Sequence, residues 1–527
     1  LADVPVASRA RGAPWGRIGA LAGLALIVAT PSLPVAFALF AGLGASESWT
    51  HIQNTLLWEY AATTLALAFV GTGLATLLGA GVAWLVASAR FPFSDQAGWL
   101  LAMPLALPAY VSAYAWADML GVRGPGVAIL VHVTTLYPYV YLAARAAFAA
   151  QSVCALEAAR SLGAGPWRRF HAVALPMARP AIAGGAALVA LEIVADYGAA
   201  DHLGVGTLTV GVFRAWFSMG DLSAAARLAA LTLAAGLTLV AIERAMRRGK
   251  TAGGSTRWRS VRKDALRGWA AWAAAGFVGA LLLVSLILPV AHLAGLALRS
   301  GPPGRGLWEP LAATAALTGL GAGFTLALAA LGAALMRAGR RETTGWAGSL
   351  VRLSALGGYA TPGAVTALGV LGLLAALGPG AAAGLAGWAG LAALVFAYGA
   401  RFSGAGLEPI GAGLDKTTRS QREAAASLGW SPLRRIWRLD LPLAAPSVLA
   451  AALIVAIEIA KELPATTILR PLGFDTLAVR AHSYAADERL AAAAWPALVI
   501  VALSAAPAAW LARRLDHARA GAGAGAS

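Results

Sequence analysis

Long apolar runs alternate with short polar or basic stretches along the whole 527-residue chain. Most runs reach about 20 residues, the length a helix needs to cross a bilayer. Twelve are read as spans. The first six lie at about 18–43, 57–88, 97–120, 126–149, 181–200 and 223–243. The second six lie at about 269–298, 310–337, 348–376, 381–404, 446–466 and 489–512. Runs 57–88 and 310–337 exceed a minimal span and are expected to tilt or to extend past the membrane. The run that follows the basic leader (Arg9, Arg11, Arg17) is too long for a signal-peptide core. It is expected to be a retained first helix. The pattern as a whole predicts an all-α integral membrane protein.

Composition agrees. Hydrophobic residues make up 59% of the chain and charged residues 12%, against about 25% charged in a soluble domain. The formal net charge of +17 does not read as a nucleic-acid surface, because the basic residues form no single stripe with interleaved aromatics. They sit in short loops, as Lys and Arg do on the cytoplasmic side of membrane proteins. The richest cluster, Arg244, Arg247, Arg248, Lys250, Arg257, Arg259, Arg262, Lys263 and Arg267, marks a cytoplasmic linker. Counting spans outward from it puts both termini in the cytoplasm, with Arg340, Arg341, Arg513, Arg514 and Arg519 on the same side. The one cysteine, Cys154, excludes an intrachain disulfide.

A repeat organises the chain. EAARSLGAGPWRRFHAVALPMARP, at 157–180, returns as EAAASLGWSPLRRIWRLDLPLAAP, at 423–446, with 13 of 24 positions identical in an ungapped alignment. Each copy lies between the fourth and fifth spans of its half, so both face the same side and the repeat is parallel. The expected domains are a first half, 1–243, a linker, 244–267, a second half, 268–514, and a Gly/Ala tail, 515–527, expected to be disordered. Within each loop Gly163 and Pro166, or Gly429 and Pro432, divide one helix from the next. A short helix of about Pro166–Val173 or Pro432–Leu439 is expected, angled to its predecessor. It presents Trp167, Arg168, Arg169 and Phe170 in one copy, and Leu433, Arg434, Arg435, Ile436 and Trp437 in the other. Aromatic and Arg residues mixed in this way anchor protein interfaces. An amphipathic helix on lipid headgroups is the plainer alternative.

Both copies resemble the EAA loop of permeases from binding-protein-dependent ATP-binding-cassette importers. Glu157, Ala158, Ala159, Gly163, Val173, Leu175 and Pro176 fit its form, as do Glu423, Ala424, Ala425, Gly429, Leu439, Leu441 and Pro442. Val173 and Leu439 stand where the family often has Ile. The resemblance implies a type I importer permease fold of two homologous six-helix halves. It also implies two coupling helices, each docked on one copy of a cytoplasmic ATPase, with a periplasmic binding protein as the other partner. ATP and Mg²⁺ would lie on the ATPases, and the chain itself would hold no cofactor and catalyse nothing. The stretches 103–116, 195–217 and 461–485 are similar to the two-domain ferric-iron permease branch. That similarity is the whole basis for naming iron, a periplasmic iron-binding protein and the inner membrane.

Ionisable groups inside spans are costly and mark function. Glu192 and Asp196 are four apart, as on one helix face, and Glu458 and Glu462 repeat them in the same register as the two loops. Lys461 adjoins the second pair; Tyr197, Asp201 and His202 follow the first. These side chains either line a translocation path, where hard oxygen ligands suit Fe(III), or tie helices together. Pro464 marks a bend and a candidate gate. No P-loop is present: Gly249-Lys250-Thr251 supplies its last letters, but Arg244 stands at its first Gly. Competing readings are the same permease for thiamine, polyamine or sulfate, a twelve-span secondary transporter, and a membrane enzyme using Glu192, Asp196 and His202. The loop Ser88–Gln96 lacks the Gly-Asp-Arg pattern of many secondary transporters.

Overall fold

The computed structural model describes residues 14–149, 158–247, 263–339, 345–378 and 387–524. Glu157, the leader up to Arg11, the linker from Arg248 to Arg262, Arg340 with Arg341, and the last three residues lie outside that set. Among the described residues, ten helices are long and apolar enough to cross a membrane, and two bent pairs raise the number to twelve.

The first half opens with α1 (Pro14–Ala41) and α2 (Leu57–Ser88), followed by a two-residue strand β1 (Ala89–Arg90). The bent pair comes next, α3 (Ser94–Leu100) and α4 (Ala109–Leu120), then α5 (Pro125–Ala149). α6 (Trp167–Ala195) follows the first repeated loop. Two short helices, α7 (Gly198–His202) and α8 (Leu208–Phe213), lead to α9 (Leu222–Arg247). The strand β2 (Asp264–Ala265) ends the linker and pairs in parallel with β1.

The second half runs through α10 (Trp269–Arg299) and α11 (Trp308–Gly339). Its bent pair is α12 (Gly345–Ala360) and α13 (Gly363–Ala376), followed by α14 (Trp388–Leu414). The second loop holds α15 (Arg419–Ser427) and feeds α16 (Ile436–Ala460). α17 (Pro464–Leu469), α18 (Leu477–Ala486) and α19 (Leu490–Ala524) complete it. The tail expected to lack order from 515 is thus helical as far as Ala524.

Two expectations about spans change. The third and ninth are not straight: the chain turns by 88° at Leu107-Pro108 and by 108° at Thr361-Pro362. The residue before a proline avoids the α region, and Leu107 is extended, with φ −93° and ψ 107°. The fifth spans begin earlier than 181 and 446. The short helices Pro166–Arg169 and Pro432–Arg435 do not stand alone but continue through π turns, Phe170–Ala174 and Ile436–Asp440, into the regular parts of α6 and α16, Leu175–Ala195 and Leu441–Ala460. The Leu-Pro of the repeat explains the turns. Pro176 and Pro442 have no N–H for the ordinary bond four residues back. The preceding Leu175 and Leu441 amides bond five residues back instead, to Phe170 O and Ile436 O.

Each half lends its first helix to the other. α1 packs on α12 and α13. A Cβ at Gly369 would meet the Pro34 carbonyl, and one at Gly372 would come 3.1 Å from the Phe37 carbonyl. Small residues give membrane helices this close approach, where burial alone drives little association. In return α10 packs on α4, and His292 Nε2 lies 2.6 Å from Asp118 Oδ2. This exchange brings α6, α14 and α16 to a common seam between the halves.

Candidate functional site

At that seam lies a cavity of about 100 Å³, lined by residues of both halves. Glu192 and Glu458 face it from α6 and α16, with Tyr110, His132, Tyr139, Arg401 and Lys461 around them. Lys461 Nζ is 2.9 Å from Glu458 Oε1. Glu192 lies within electrostatic reach of Glu458, Lys461 and Arg401, and Tyr139 and Tyr359 stand beside both glutamates.

Asp196 and Glu462 do not sit on the helix face expected for them. α6 ends at Ala195 and α16 at Ala460, and both acids turn to cap the next short helix. Asp196 Oδ2 accepts from the Ala200 amide at 2.9 Å, and Oδ1 from Ala199 at 3.4 Å. Glu462 accepts from the Ala465 and Thr466 amides at 3.0 and 2.9 Å and from Thr466 Oγ1 at 2.7 Å. Free amides at a helix start bind a carboxylate well. Each acid also holds a partner: Arg401 donates to Glu462 at 2.7 Å, and His132 Nε2 is 3.4 Å from Asp196 Oδ2.

Tyr197 edges the cavity and stacks on Phe213 at 3.5 Å between ring centroids. Asp201 does not line the cavity and belongs to a separate cluster. There Tyr114 Oη and His482 Nδ1 are 3.0 Å apart, and His482 Nε2 is 3.4 Å from Asp201 Oδ2. Among the described residues no group of three or more His, Cys, Asp and Glu is arranged to hold a metal ion. The sequence reading missed Arg401, His132, Tyr139 and Tyr359. Arg401 and His132 were open to detection, since each is an ionisable residue within an apolar span.

The repeated loops share one geometry. Gly163 and Gly429 take φ of +76° and +73°, where a side chain would be strained. The following Ala164 and Trp430 amides return to Ala159 O and Ala425 O at 2.9 and 3.1 Å, closing the helix end. Trp167, Arg168, Glu423, Ala424, Arg434 and Ile436 are exposed. Ala158 is exposed too, Ala159 and Phe170 are half-buried, and Ala425 is buried. Phe170 packs on Trp84, with ring centroids 5.5 Å apart. Arg169 is turned inward and donates to Asp264 at 2.8 Å; Arg435 is half-buried. The side chain of Leu433 lies outside the described set.

The model of the binding-protein-dependent transport system inner membrane component matches residues 10–248 and again 330–520. Among relatives, the Fe(3+)-transport system permease protein FbpB 2 of Haemophilus influenzae is 26% identical over 477 residues, 88% of this chain and 92% of that protein. The molybdenum transport system permease protein ModB of Azotobacter vinelandii is 32% identical over 152 residues, 26% of this chain and 67% of its own. The sulfate transport system permease protein CysT of Escherichia coli is 28% identical over 170 residues, 29% of this chain and 61% of its own. With the domain matched once in each six-helix half, the chain belongs to the binding-protein-dependent transport system inner membrane components, as a fused two-domain permease.

Proposed function

We propose that this chain is the permease of an ATP-driven importer for a cationic cargo, ferric iron, handed over by a periplasmic binding protein. The observation that carries the reading is the charge of the shared cavity. Its lining holds four carboxylates, of Glu192, Asp196, Glu458 and Glu462, against two fixed cations, Arg401 and Lys461. An oxyanion would meet net repulsion there; a cation would not. Glu192 lines the cavity and, among the described residues, makes no ion pair of the kind that Lys461 makes with Glu458, so it is the carboxylate assigned here to cargo. Iron rather than another cation rests on the match to the ferric permease along nearly its full length and on the affinity of hard oxygen donors for Fe(III). A wet, weakly coordinating path suits release better than a tight metal site does.

In this reading the exposed faces of the two loops each dock one ATPase subunit. Closure of the ATPases switches the halves between inward-open and outward-open states. ATP and Mg²⁺ stay on those subunits, and this chain is not itself catalytic. Both termini and both loops face the cytoplasm, which the basic loops support.

The test is uptake by liposomes holding the permease with its ATPase subunits, with ⁵⁵Fe(III) on the binding protein outside. ATP-dependent uptake is expected. Glu192→Gln should lower it about tenfold or more, equivalent to about 1.4 kcal/mol on the barrier. Uptake of a polyamine or sulfate in place of iron would keep the permease and discard the cargo. Gradient-driven uptake without any ATPase would discard the importer.

A further inference from the structure

The second repeated loop carries its own carboxylate. Asp440, at the end of its π turn, is buried and accepts from Arg422 Nη2 at 2.9 Å and from Arg337 Nη1 at 3.4 Å. All three groups belong to the second half. The position matched to Asp440 in the first copy of the repeat is Ala174, an apolar residue with no exposure. The first loop nevertheless has two guanidiniums to satisfy. Arg169 is largely buried, and Arg160 is about one quarter exposed.

Their carboxylate comes from outside the half. Asp264, in the last residues of the linker, accepts from Arg160 through one oxygen and from Arg169 at 2.8 Å through the other. The backbone fixes where it stands. Ala89 and Arg90, just after α2, pair in parallel with Asp264 and Ala265, and the Leu266 amide bonds to Arg90 O at 3.0 Å. Two-pronged recognition of a carboxylate by guanidinium groups is strong and directional. The two loops are stapled differently: the second holds both an acid, Asp440, and a cation for it, Arg422, with Arg337 of α11 added, whereas the first holds only cations and takes its acid from outside.

We infer that Asp264 is a positioning residue for the first loop, so that the linker joining the halves also sets the geometry of one of the two ATPase contacts. The polar staple each loop needs is provided once within a half and once by the fusion. The connection to coupling rests on the functional reading above; the placement of the loop by Asp264 does not, and its test needs neither ATPase nor cargo.

The full chain carries one cysteine, Cys154, so Cys154→Ser gives a clean background for labelling. Leu162 and Leu428, matched across the repeat, are 86% and 73% exposed at the tips of the two loops. Each is replaced by Cys in turn, given a nitroxide label and read by electron paramagnetic resonance in nanodiscs. Asp264→Asn should raise the mobile fraction at 162 about twofold or more and leave 428 unchanged, because local order follows local contacts. Asp264→Glu, which keeps the charge, should restore the immobile spectrum, and Arg160→Gln should copy the Asn variant in part. An unchanged spectrum at 162 in Asp264→Asn overturns the inference. Equal loosening at 162 and 428 overturns it too, since the linker would then serve general stability rather than one loop.

Discussion

The two halves share their scaffold and divide their charge. In each, a threonine early in the second span accepts a backbone amide from the short helix before the last span. Thr64 Oγ1 accepts from Leu208 N at 2.9 Å, and Thr314 Oγ1 from Leu477 N at 2.8 Å. In each, Thr207 or Thr476 caps that short helix, a proline bends the third span, and a π turn opens the fifth. The cavity cations follow no such rule. Arg401 and Lys461 both belong to the second half, and in the register of the repeat their counterparts in the first are Thr135 and Ala195. Duplication has preserved the devices that satisfy backbone groups in lipid, where an unmade hydrogen bond is expensive. The cavity acids are matched between the halves, Glu192 with Glu458 and Asp196 with Glu462, and it is the cations that are not.

The largest effect should come from breaking that asymmetry. Arg401→Met leaves Glu462, with a side chain 2% exposed, without its cation. Loss of one partner of a buried pair costs about 3–5 kcal/mol. The amide bonds from Ala465 and Thr466 to Glu462 place the expected loss at the lower end of that range. Thermal unfolding followed by fluorescence size-exclusion in detergent reads it, and Arg401→Met with Glu462→Gln should recover most of the loss. A single variant as stable as the parent would mean that the pair does not tie α14 to the start of α17.

The exchanged first helices offer the next comparison. α1 meets the second half over glycines, whereas α10 meets the first half through the partly exposed pair His292 and Asp118. Gly369→Leu drives a side chain into the Pro34 carbonyl and should cost about 1–3 kcal/mol, the usual range for overpacking. His292→Leu should cost under about 1 kcal/mol, as exposed ion pairs do. Proteolytic release of the α1 segment in the glycine variant, and not in the histidine variant, would separate the two seats.

The spans were legible because lipid imposes a length and a composition that any reader of the sequence can apply. The loops were legible because Gly163 and Gly429 sit where only a left-handed residue ends a helix well. The bends at Pro108 and Pro362 were not drawn, although both prolines were in view: an apolar run hides a turn when each arm stays apolar. Asp196 and Glu462 were placed one turn too far along their helices. Four-residue spacing puts two acids on one face only while the helix lasts, and nothing in the spacing tells where it stops. Asp264 lay hidden among basic residues, since its partners Arg160 and Arg169 are far from it in the chain.

The matched threonines test the shared side of the comparison. Thr64→Val and Thr314→Val each leave one buried amide without an acceptor, at about 1–2 kcal/mol. The two losses should agree within about 0.5 kcal/mol, since each removes one acceptor from a matched, buried amide. A large inequality would show that one half relies on its short helix more than the other does.

The smallest effect concerns how each half anchors the loop after its first helix. In the second half Trp495 Nε1 donates to Gly301 O at 2.9 Å. In the first half Arg227 Nε donates to Gly42 O at 2.7 Å, and Ser46 Oγ donates to Asp221 at 2.6 Å. Among the described residues, only the first anchor includes an acid. Burial works against the ionised form of Asp221, but hydrogen bonds from Ser46 and the Ala224 amide outweigh it and hold the carboxyl below its ordinary range. A depressed folded-state pKa adds stability above the unfolded value, about 3.9, and loses it as pH falls through the folded value. Asp221→Asn should therefore lower the melting temperature slightly at pH 7, and the gap to the parent should close as the pH drops below about 4. The site is half-buried and in contact with solvent, so the stabilisation lost should stay under about 1 kcal/mol. A gap that persisted or widened in acid would mean that the neutral hydrogen-bond geometry, not the charge, holds this anchor, which would make the two halves alike in this respect after all.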